Sequence, residues 1–462
     1  MVKVLCILDM RPNVHYTLER LPSIKRALNK QDSVYLNIYE FEEKFGCYCG
    51  PDKVNQKFLN FVAENKITAI FTSSEWFNFV SADTILRLTN SNVVVASVLG
   101  DDENNFHINV NYLGLLTVPV AYQKNEYKKY LTVNPNTRCM PISISMHDSD
   151  FYLSATKKND VIFIGKAYGN RPKLLKYLCE NGIKLIIYGG KEWERYFDND
   201  VYKGYINNSD YYGEIAQSKI VLALLESQDN EELLHVNAKP FDAAKTGTAL
   251  IVTRYKAFFE DYELQERSDL LAYSTKEELL LSVKELLSND NDRQRIANSF
   301  REKIRHNYDY DRLYSELFIK VLNIKEGKPE VNKARVAYIE NYIQPAWEDI
   351  KNYDYVIFKK KGVVYSDAIE SVLAAHVSSN YIIKMDSFSY GRIARKVFNY
   401  IDVASLAIPV QRLSELQRIK GVVKISNTRT AQTFICLNHY KVFSLFISFL
   451  IILRVVYKRF SR

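Results

Sequence analysis

Residues 160–190 read DVIFIGKAYGNRPKLLKYLCENGIKLIIYGG, and their pattern predicts one complete strand–helix–strand unit. Val161–Ile164 is an apolar run typical of a buried strand, and Lys184–Tyr188 is a second one. Between them, a loop with two glycines leads into a helix over Arg171–Glu180, for which Gly182 is a suitable C-terminal cap. Two strands joined in this way form a right-handed crossover, so the stretch predicts a parallel sheet covered by helices.

The same alternation of apolar strands and amphipathic helices fills the first 150 residues and continues after the quoted unit. At 462 residues the chain is too long for one core. We therefore expect an α/β fold with two Rossmann-like domains, 1–153 and 154–326, that face each other across a cleft. The predicted strands are Val2–Leu8, Ser33–Tyr39, Ile67–Thr72, Val93–Val98, Leu115–Ala121 and Cys139–Ser145 in the first domain, and Ile220–Leu225 and Ala249–Val252 in the second. The predicted helices include Val54–Asn65 and Asn125–Leu131.

The composition is that of a mildly basic globular protein, with 47% hydrophobic and 25% charged residues, a net charge of +8 and a pI of about 8.8. This charge suits nucleotide phosphates or an anionic lipid surface, and without a nucleic-acid-binding motif we expect no nucleic-acid partner.

Cys47 and Cys49 form a lone C-x-C without the further ligands of a zinc site. We expect reduced thiols in a cytoplasmic protein, whose N-terminus is a first strand and not a secretory signal.

A second informative stretch, VNAKPFDAAKTGTALIV at 236–252, predicts a short helix that leads directly into a buried strand. Asn237 suits the N-cap and Pro240 suits the first turn, where backbone N–H groups lack partners. The helix is expected over Phe241–Thr246, with Gly247 as its C-terminal stop. Helix capping therefore accounts for Asn237, Pro240 and Gly247.

Capping does not account for Lys239 and Asp242, and two interpretations of this pair stay open. In the first, Asp242 is a favourable first-turn acid and Lys239 a solvated charge. In the second, the helix N-terminus is an anion site, at which Lys239 complements a diphosphate and Asp242 accepts hydrogen bonds from two ribose hydroxyls.

The pattern N-x-K-x-F-D, followed by small residues and a glycine, resembles the N-x-R-x-F-E pattern of the nucleotide-sugar helix in two-domain (GT-B) glycosyltransferases of the spore maturation protein CgeB-like family. Lysine for arginine and aspartate for glutamate keep the charge types but lose a bidentate arginine contact. Residues 160–193, 211–225, 274–313 and 95–106 also resemble parts of that family. The resemblance covers about residues 1–320.

The resemblance implies a donor site in the second domain and an acceptor site in the first. Gly165, Lys166 and Arg171 would approach the diphosphate together with Lys239. The remaining implied donor residues are Tyr188 and Gly189 on the nucleobase side, Lys219 as a weaker candidate, Phe241 within the motif, and Asp242 at the ribose.

In the first domain, Asp101 and Asp102 end a strand that would face the cleft, so one of them is expected to orient the acceptor or to act as the base. The alternative for this pair is turn capping. His107 and His235 are weaker cleft candidates, since a lone histidine more often has a structural role. Many retaining relatives carry a glutamate eight residues before the ribose acid. Leu234 occupies that place here, with Glu231 and Glu232 nearby.

The third region, 327–435, resembles a fragment of a family 2 glycosyltransferase. The segment NYIIKMDSFSYGRIARKV at 380–397 resembles that family's K-x-D-x-D-D-x-Y segment. Asp386 is followed by Ser387, Phe388 and Ser389, so the further carboxylates of a metal-binding D-x-D are missing. We expect a degenerate docking or acceptor-positioning module, and no metal site.

The last segment, 436–462, contains a short apolar run, Val442–Leu453, followed by Arg454 and a basic end. A spanning helix needs about 20 apolar residues, so an interfacial helix on an anionic membrane is expected. A true span and a packed core helix are the alternatives.

The residues alone predict a two-domain α/β protein with a basic cleft, and the resemblance implies that it is a glycosyltransferase at the inner face of a membrane. It would transfer a sugar from a nucleotide donor, expected to be UDP-linked, to a glycan, lipid-linked or protein acceptor in cell-surface glycan assembly. No separate cofactor is expected. Two alternatives stay open: a non-catalytic partner of the glycan machinery that keeps the fold, and a nucleotide-sugar epimerase of the same architecture.

Overall fold

The computed structural model describes residues 2–11, 15–45, 55–100, 109–154, 156–226, 234–324, 327, 336–340, 355–359, 371, 373, 383–388, 403–409 and 433–436. Within these ranges the chain forms three sheets. No helix in the described ranges is long and apolar enough to cross a membrane. The predicted C-terminal apolar helix lies outside the described residues, as do Cys47 and Cys49.

The first sheet has six parallel strands in the order β2-β1-β3-β4-β5-β6. All six residues of β4 are buried, as expected for a strand that helices cover on both faces. The strands are β1 Lys3–Leu8, β2 Asp32–Asn37, β3 Ala69–Ser73, β4 Val94–Leu99, β5 Val118–Ala121 and β6 Arg138–Cys139. The helices of this part are His15–Ala27, Phe41–Phe45, Gln56–Glu64, Ala82–Asn90 and Lys124–Leu131.

The second sheet has five parallel strands in the order β11-β10-β9-β7-β8. Gly182 and Gly247 follow helix ends with φ of +81° and +60°, as their predicted capping roles require. The strands are β7 Asn159–Ile164, β8 Leu185–Tyr188, β9 Ser218–Ala223, β10 Ala249–Thr253 and β11 Leu271–Tyr273. The helices are Arg171–Glu180, Asn208–Ala216, Lys239–Thr246, Lys256–Asp261, Lys276–Ser288, Asp290–Asn307 and Tyr310–Leu322. Two parallel sheets with helices confirm the predicted α/β fold.

The predicted strand Cys139–Ser145 is wrong beyond its first residue, because β6 ends at Cys139. Met140 still donates its backbone N–H to the Ala121 carbonyl of β5, but the residues after it bond to the second domain. The Ile142 carbonyl accepts from the Tyr262 hydroxyl at 2.5 Å, and the Ile144 carbonyl accepts from the Tyr310 backbone N–H at 3.0 Å. This segment is therefore a connection between the two halves and not a sheet strand.

The last helix of the second half, Tyr310–Leu322, packs against the helix His15–Ala27 of the first. Asp311 accepts hydrogen bonds from Arg26 Nε at 2.6 Å and from the Ser23 hydroxyl at 2.5 Å. After this helix, the Gly327 backbone N–H donates to Asn92 Oδ1 at 2.7 Å. The chain thus returns to the first domain before the third region begins.

The third sheet is mixed and has the order β12-β13-β15-β14-β16. β12 and β13 are parallel, whereas β15 runs antiparallel to both β13 and β14. Asp386 lies within β14, which pairs with β15 on one side and with β16 on the other. The strands are β12 Val336–Glu340, β13 Tyr355–Lys359, β14 Ile383–Phe388, β15 Val403–Pro409 and β16 Thr433–Cys436.

Candidate functional site

The strand order of the second sheet identifies where a ligand would bind. From β7 the chain moves outward to β8, and it then crosses to the other side of β7 to form β9, β10 and β11. The order therefore reverses between β7 and β9, and the connections that follow these two strands leave the sheet in opposite directions. In open parallel sheets, ligands bind outside the carboxyl ends of the strands at such a point.

Two glycines at this edge bring the loops after β7 and β8 into direct contact. The Gly165 backbone N–H donates to the Tyr188 carbonyl at 2.9 Å, and the Gly165 carbonyl accepts from Trp193 Nε1 at 2.7 Å. A Cβ on Gly189 would overlap the Gly165 carbonyl oxygen and would lie 2.8 Å from Trp193 Nε1. The close approach of the two loops thus requires glycine at 189.

The helix Lys239–Thr246 begins at the same edge, after the connection that leaves β9. Its N-cap is Ala238, one residue later than predicted, while Asn237 Oδ1 accepts the backbone N–H of Lys239 at 3.0 Å. The predicted N-cap residue therefore still satisfies one backbone donor of the first turn. The position of this helix start brings Lys239 and Asp242 to the carboxyl edge of the sheet.

Asp242 is the most buried of the candidate charged residues, with 1% of its surface exposed. Its Oδ2 accepts from the Tyr211 hydroxyl at 2.6 Å, and Lys239 Nζ donates to that same hydroxyl. The Lys239 side chain is 38% exposed, and its Nζ lies 4.0 Å from Asp242 Oδ2. Among the described residues, Asp242 Oδ1 is buried without a hydrogen-bond partner.

Burial dominates the electrostatics of this pair. It raises the pKa of Asp242 to about 6, although Lys239 and the Tyr211 hydroxyl both act to lower it. Lys239 is only partly buried, and this partial desolvation lowers its pKa, which the carboxylate of Asp242 opposes. Near neutral pH the carboxylate is therefore ionised, with one oxygen still available to a hydrogen-bond donor.

The structure gives Arg171 a different role from the predicted diphosphate contact. Only 5% of Arg171 is exposed, and its Nη2 donates to the Leu224 carbonyl at 2.7 Å. Its guanidinium carbon lies 3.7 Å from the centre of the Tyr168 ring. These contacts bury the guanidinium, and through backbone carbonyls Arg171 joins the glycine loop to the end of β9.

Phe241 and Lys219 are also separated from the candidate site. Phe241 is fully buried and packs against the rings of Phe258 and Tyr262. Lys219 is the second residue of β9, at the amino end of that strand, and its Nζ donates to Asp160 Oδ1 at 2.7 Å. Both residues match the patterns quoted from the sequence. Phe241 nevertheless belongs to the core, and Lys219 lies at the amino edge of the sheet.

Lys166 and Tyr188 remain at the carboxyl edge, where Lys166 is exposed and Tyr188 is half-buried. Lys166 follows Gly165 in the loop after β7, and Tyr188 is the last residue of β8. Burial and the neighbouring carboxylate of Glu214 raise the pKa of Tyr188 to about 12, so its phenol is neutral at physiological pH. The residues brought together at this edge are Gly165, Lys166, Tyr188, Gly189, Lys239 and Asp242.

The candidate acceptor residues are only partly described. Asp101, Asp102 and His107 lie outside the described residues, as do Glu231 and Glu232. His235 is half-buried, and its backbone N–H donates to the Leu225 carbonyl at 3.0 Å.

Two further residues at the carboxyl edge, Tyr211 and Glu226, were not among the candidates predicted from the sequence. Tyr211 lies in the helix Asn208–Ala216, and only its buried hydrogen bond to Asp242 reveals its importance. Glu226 follows β9 and is 8% exposed. The carboxylate after an apolar strand was the one signal available for Glu226, whereas an aromatic residue in an amphipathic helix gives no signal of its own.

The comparisons with known proteins agree with this architecture. A family model described as glycosyl transferase-like matches residues 171–318, which include β8 to β11 and the helix with Lys239 and Asp242. Anabaena HepE in complex with UDP-glucose has a TM-score of 0.52 at 10% sequence identity, over 70% of this chain and 100% of that chain. The complex of HepE with UDP gives 0.52 at 9% identity, with the same coverage. No curated protein matches the chain.

The fold is therefore the two-domain (GT-B) architecture, and residues 171–318 are similar to the glycosyl transferase-like family.

Proposed function

We propose that this protein is a glycosyltransferase that takes its sugar from a nucleotide donor bound at the carboxyl edge of the second sheet. The observation that carries the proposal is the pair Lys239 and Asp242 at the start of one helix. Asp242 is a buried carboxylate with one oxygen that no described residue donates to, and a ribose hydroxyl would supply the missing hydrogen-bond donor. Lys239 and the helix N-terminus would attract the diphosphate.

The chemistry of the site would rest on positioning and on charge. A leaving nucleoside diphosphate gains negative charge as the glycosidic bond to the sugar breaks. Lys239, Lys166 and the backbone N–H groups of the first helical turn would stabilise that charge without rearrangement. Arg171 would act indirectly, because it fixes the loop that carries Lys166 to the end of β9.

The two ligands bound in the HepE complexes, UDP and UDP-glucose, support a uridine nucleotide as the first donor to test. The acceptor would bind against the first sheet, with Asp101 or Asp102 as the base, as the resemblance to the CgeB-like family implies. A glycan, lipid-linked or protein acceptor of cell-surface assembly, reached from the inner face of a membrane, completes the proposal.

The test is incubation of the purified full-length protein with a panel of UDP-, dTDP- and GDP-sugars, followed by chromatography of nucleotides and sugars. A glycosyltransferase releases the nucleoside diphosphate, and an added acceptor extract accelerates the release and gains the sugar. Release of an isomerised free sugar without any acceptor would identify an epimerase instead. Failure to bind any nucleotide sugar would favour the non-catalytic partner and contradict the proposal.

A further inference from the structure

Glu226 occupies the place where the strand order of the second sheet reverses. It follows β9 by three residues, and the loop after β7 lies directly beside it. The Tyr168 hydroxyl from that loop donates to the Glu226 carbonyl at 3.0 Å, and Arg171 Nη2 lies 3.4 Å from the same oxygen. The residue therefore lies at the crevice in which ligands of such sheets bind.

The backbone around Glu226 is held by two further contacts, one to Thr253 and one to the segment with Leu234 and His235. The backbone N–H of the preceding residue, Leu225, donates to Thr253 Oγ1 at 3.1 Å, and its carbonyl accepts from the His235 backbone N–H at 3.0 Å. Glu226 itself forms an antiparallel bridge with Leu234. A side chain on a backbone fixed in this way is preorganised for a ligand.

The carboxylate of Glu226 contrasts with its well-bonded backbone. Its side chain is 10% exposed, and its Oε2 has no hydrogen-bond partner among the described residues. Among the described residues, the cation paired with it is Arg171, whose Nε lies 4.0 Å away and has no hydrogen-bond partner there. A distance of 4.0 Å gives Coulombic attraction but no hydrogen bond, and a buried oxygen in that state costs free energy until a donor arrives.

The negative charge of Glu226 limits which group of a ligand could donate a hydrogen bond to it. A phosphate would be repelled by the carboxylate, whereas a neutral hydroxyl would donate to it. The ribose is already assigned to Asp242, whose carboxylate faces Tyr211 of the helix Asn208–Ala216. Glu226 instead borders the glycine loop, where the diphosphate is expected, so the hydroxyl would come from the group beyond the diphosphate.

We infer that Glu226 binds a hydroxyl of the transferred sugar and thereby sets which nucleotide sugar the protein accepts. This inference rests on the proposed function. It assigns Glu226 to recognition of the sugar and leaves recognition of the nucleotide to Lys239 and Asp242.

The test is titration calorimetry of the full-length protein and of Glu226→Gln with UDP and with each of UDP-glucose, UDP-galactose and UDP-N-acetylglucosamine. Glu226→Gln keeps the size of the side chain and removes its charge. We expect the affinity for UDP to change less than twofold and the affinity for the preferred UDP-sugar to fall about tenfold. Asp160→Asn, which removes a carboxylate at the opposite edge of the sheet, is the matched control and should change neither.

A further comparison separates recognition from folding. A donor analogue that lacks the recognised hydroxyl should bind the wild-type protein about tenfold more weakly and should lose nothing further in Glu226→Gln. The inference is overturned if the variant lowers the affinities for UDP and UDP-sugar equally, or if it only lowers the unfolding temperature without changing the preference among sugars. Absence of binding of every nucleotide by the wild-type protein would overturn the proposed function along with it.

Discussion

At the scale of single residues, the packing of two loops explains why glycine is needed at the carboxyl edge of the second sheet, independently of ligand binding. Gly189 is in contact with the Gly165 carbonyl, and Trp193 Nε1 donates to the same oxygen. The loop after β8 can lie this close to the loop after β7 only without a side chain at 189. The two loops consequently form one surface under the expected diphosphate.

We predict that Gly189→Ala lowers the free energy of unfolding by about 2 kcal/mol and weakens nucleotide binding, since the new Cβ must push the two loops apart. Gly213→Ala is the control, because a methyl group added to this residue of the helix Asn208–Ala216 would meet nothing within 4 Å. That variant should be neutral or should stabilise by up to about 1 kcal/mol. Urea unfolding of both variants measures the difference, and equal effects would contradict this account of the glycines.

Asp242 should leave a signature in the pH dependence of stability. Its pKa is about 6 when folded and near 3.8 when unfolded, so between these values the folded state binds more protons. The free energy of unfolding contributed by Asp242 should therefore fall as the pH rises from about 4 to about 6. Asp242→Asn cannot titrate and should lack this fall.

Unfolding temperatures of wild type and Asp242→Asn from pH 4 to 7, without ligand, test this prediction. The difference between the two proteins isolates Asp242, because every other carboxylate is shared. The wild type should lose stability relative to the variant as the pH rises through this range. Parallel curves would show that Asp242 is not a buried carboxyl with a raised pKa.

The sequence was sufficient to locate Lys239 and Asp242, because a helix start with unexplained charges has a pattern in the chain itself. It was not sufficient for Arg171, which has the same charge whether it meets a phosphate or the carbonyl of Leu224. For Glu226 the sequence offered only a carboxylate after an apolar strand, since an oxygen without a hydrogen-bond donor among the described residues is a property of packing in three dimensions.

At the scale of helices and strands, the buried strands of both parallel sheets were predictable because helices cover both faces, which leaves continuous apolar runs. The segment after Cys139 was not, since its apolar residues look like a strand while its carbonyls bond to Tyr262 and Tyr310. Whether such a segment is a sheet strand or a connection depends on hydrogen-bond partners from a distant part of the chain, and sequence periodicity does not reveal those partners.

The helix Lys239–Thr246 is also joined to the first domain by a buried ion pair. Lys245 Nζ, in a side chain 5% exposed, lies 2.6 Å from Glu19 Oε2 of the helix His15–Ala27. It lies in addition 4.8 Å from the centre of the Tyr212 ring. The pair therefore couples the packing of the two domains.

We predict that Glu19→Gln destabilises the protein by about 3 kcal/mol, because it leaves the Lys245 charge buried without its partner. The double variant Glu19→Gln, Lys245→Met should recover most of that loss, since both charges are then gone. Glu180→Gln, which breaks the exposed pair with Lys176, should change stability by less than about 0.5 kcal/mol. Urea unfolding of the four proteins decides, and a double variant no better than Glu19→Gln would refute the reasoning.

At the scale of the whole molecule, we expect the third sheet to contribute no residue to catalysis. Asp386 lies inside β14, between two paired strands, and the sequence supplies no second carboxylate beside it. We predict that Asp386→Ala and addition of a chelator each leave sugar transfer within about twofold of the wild-type rate. A manganese requirement that disappears in Asp386→Ala would instead place an active centre in the third region.

The basic, apolar C-terminal segment lies outside the described residues, and its role is a prediction from sequence. Its apolar run is flanked by Lys441, Arg454, Lys458, Arg459 and Arg462, and each basic residue near an anionic surface contributes about 1 kcal/mol. The full-length protein should float with anionic liposomes, and a version without residues 441–462 should not float but should still bind nucleotide. The prediction is wrong if the full-length protein does not float, and resistance to both salt and carbonate would indicate a span.

The central claim is that a nucleotide binds at the carboxyl edge of the second sheet through Asp242, and calorimetric titration with UDP tests it most directly. The wild-type protein should bind UDP, and Asp242→Asn should weaken binding about tenfold, since a charge-assisted hydrogen bond is worth roughly 1.5–3 kcal/mol. UDP with a 2′,3′-dideoxyribose should bind both proteins equally weakly, and Lys219→Ala, at the other edge of the sheet, should bind UDP as the wild type does. Equal affinity of UDP for wild type and Asp242→Asn would contradict the claim.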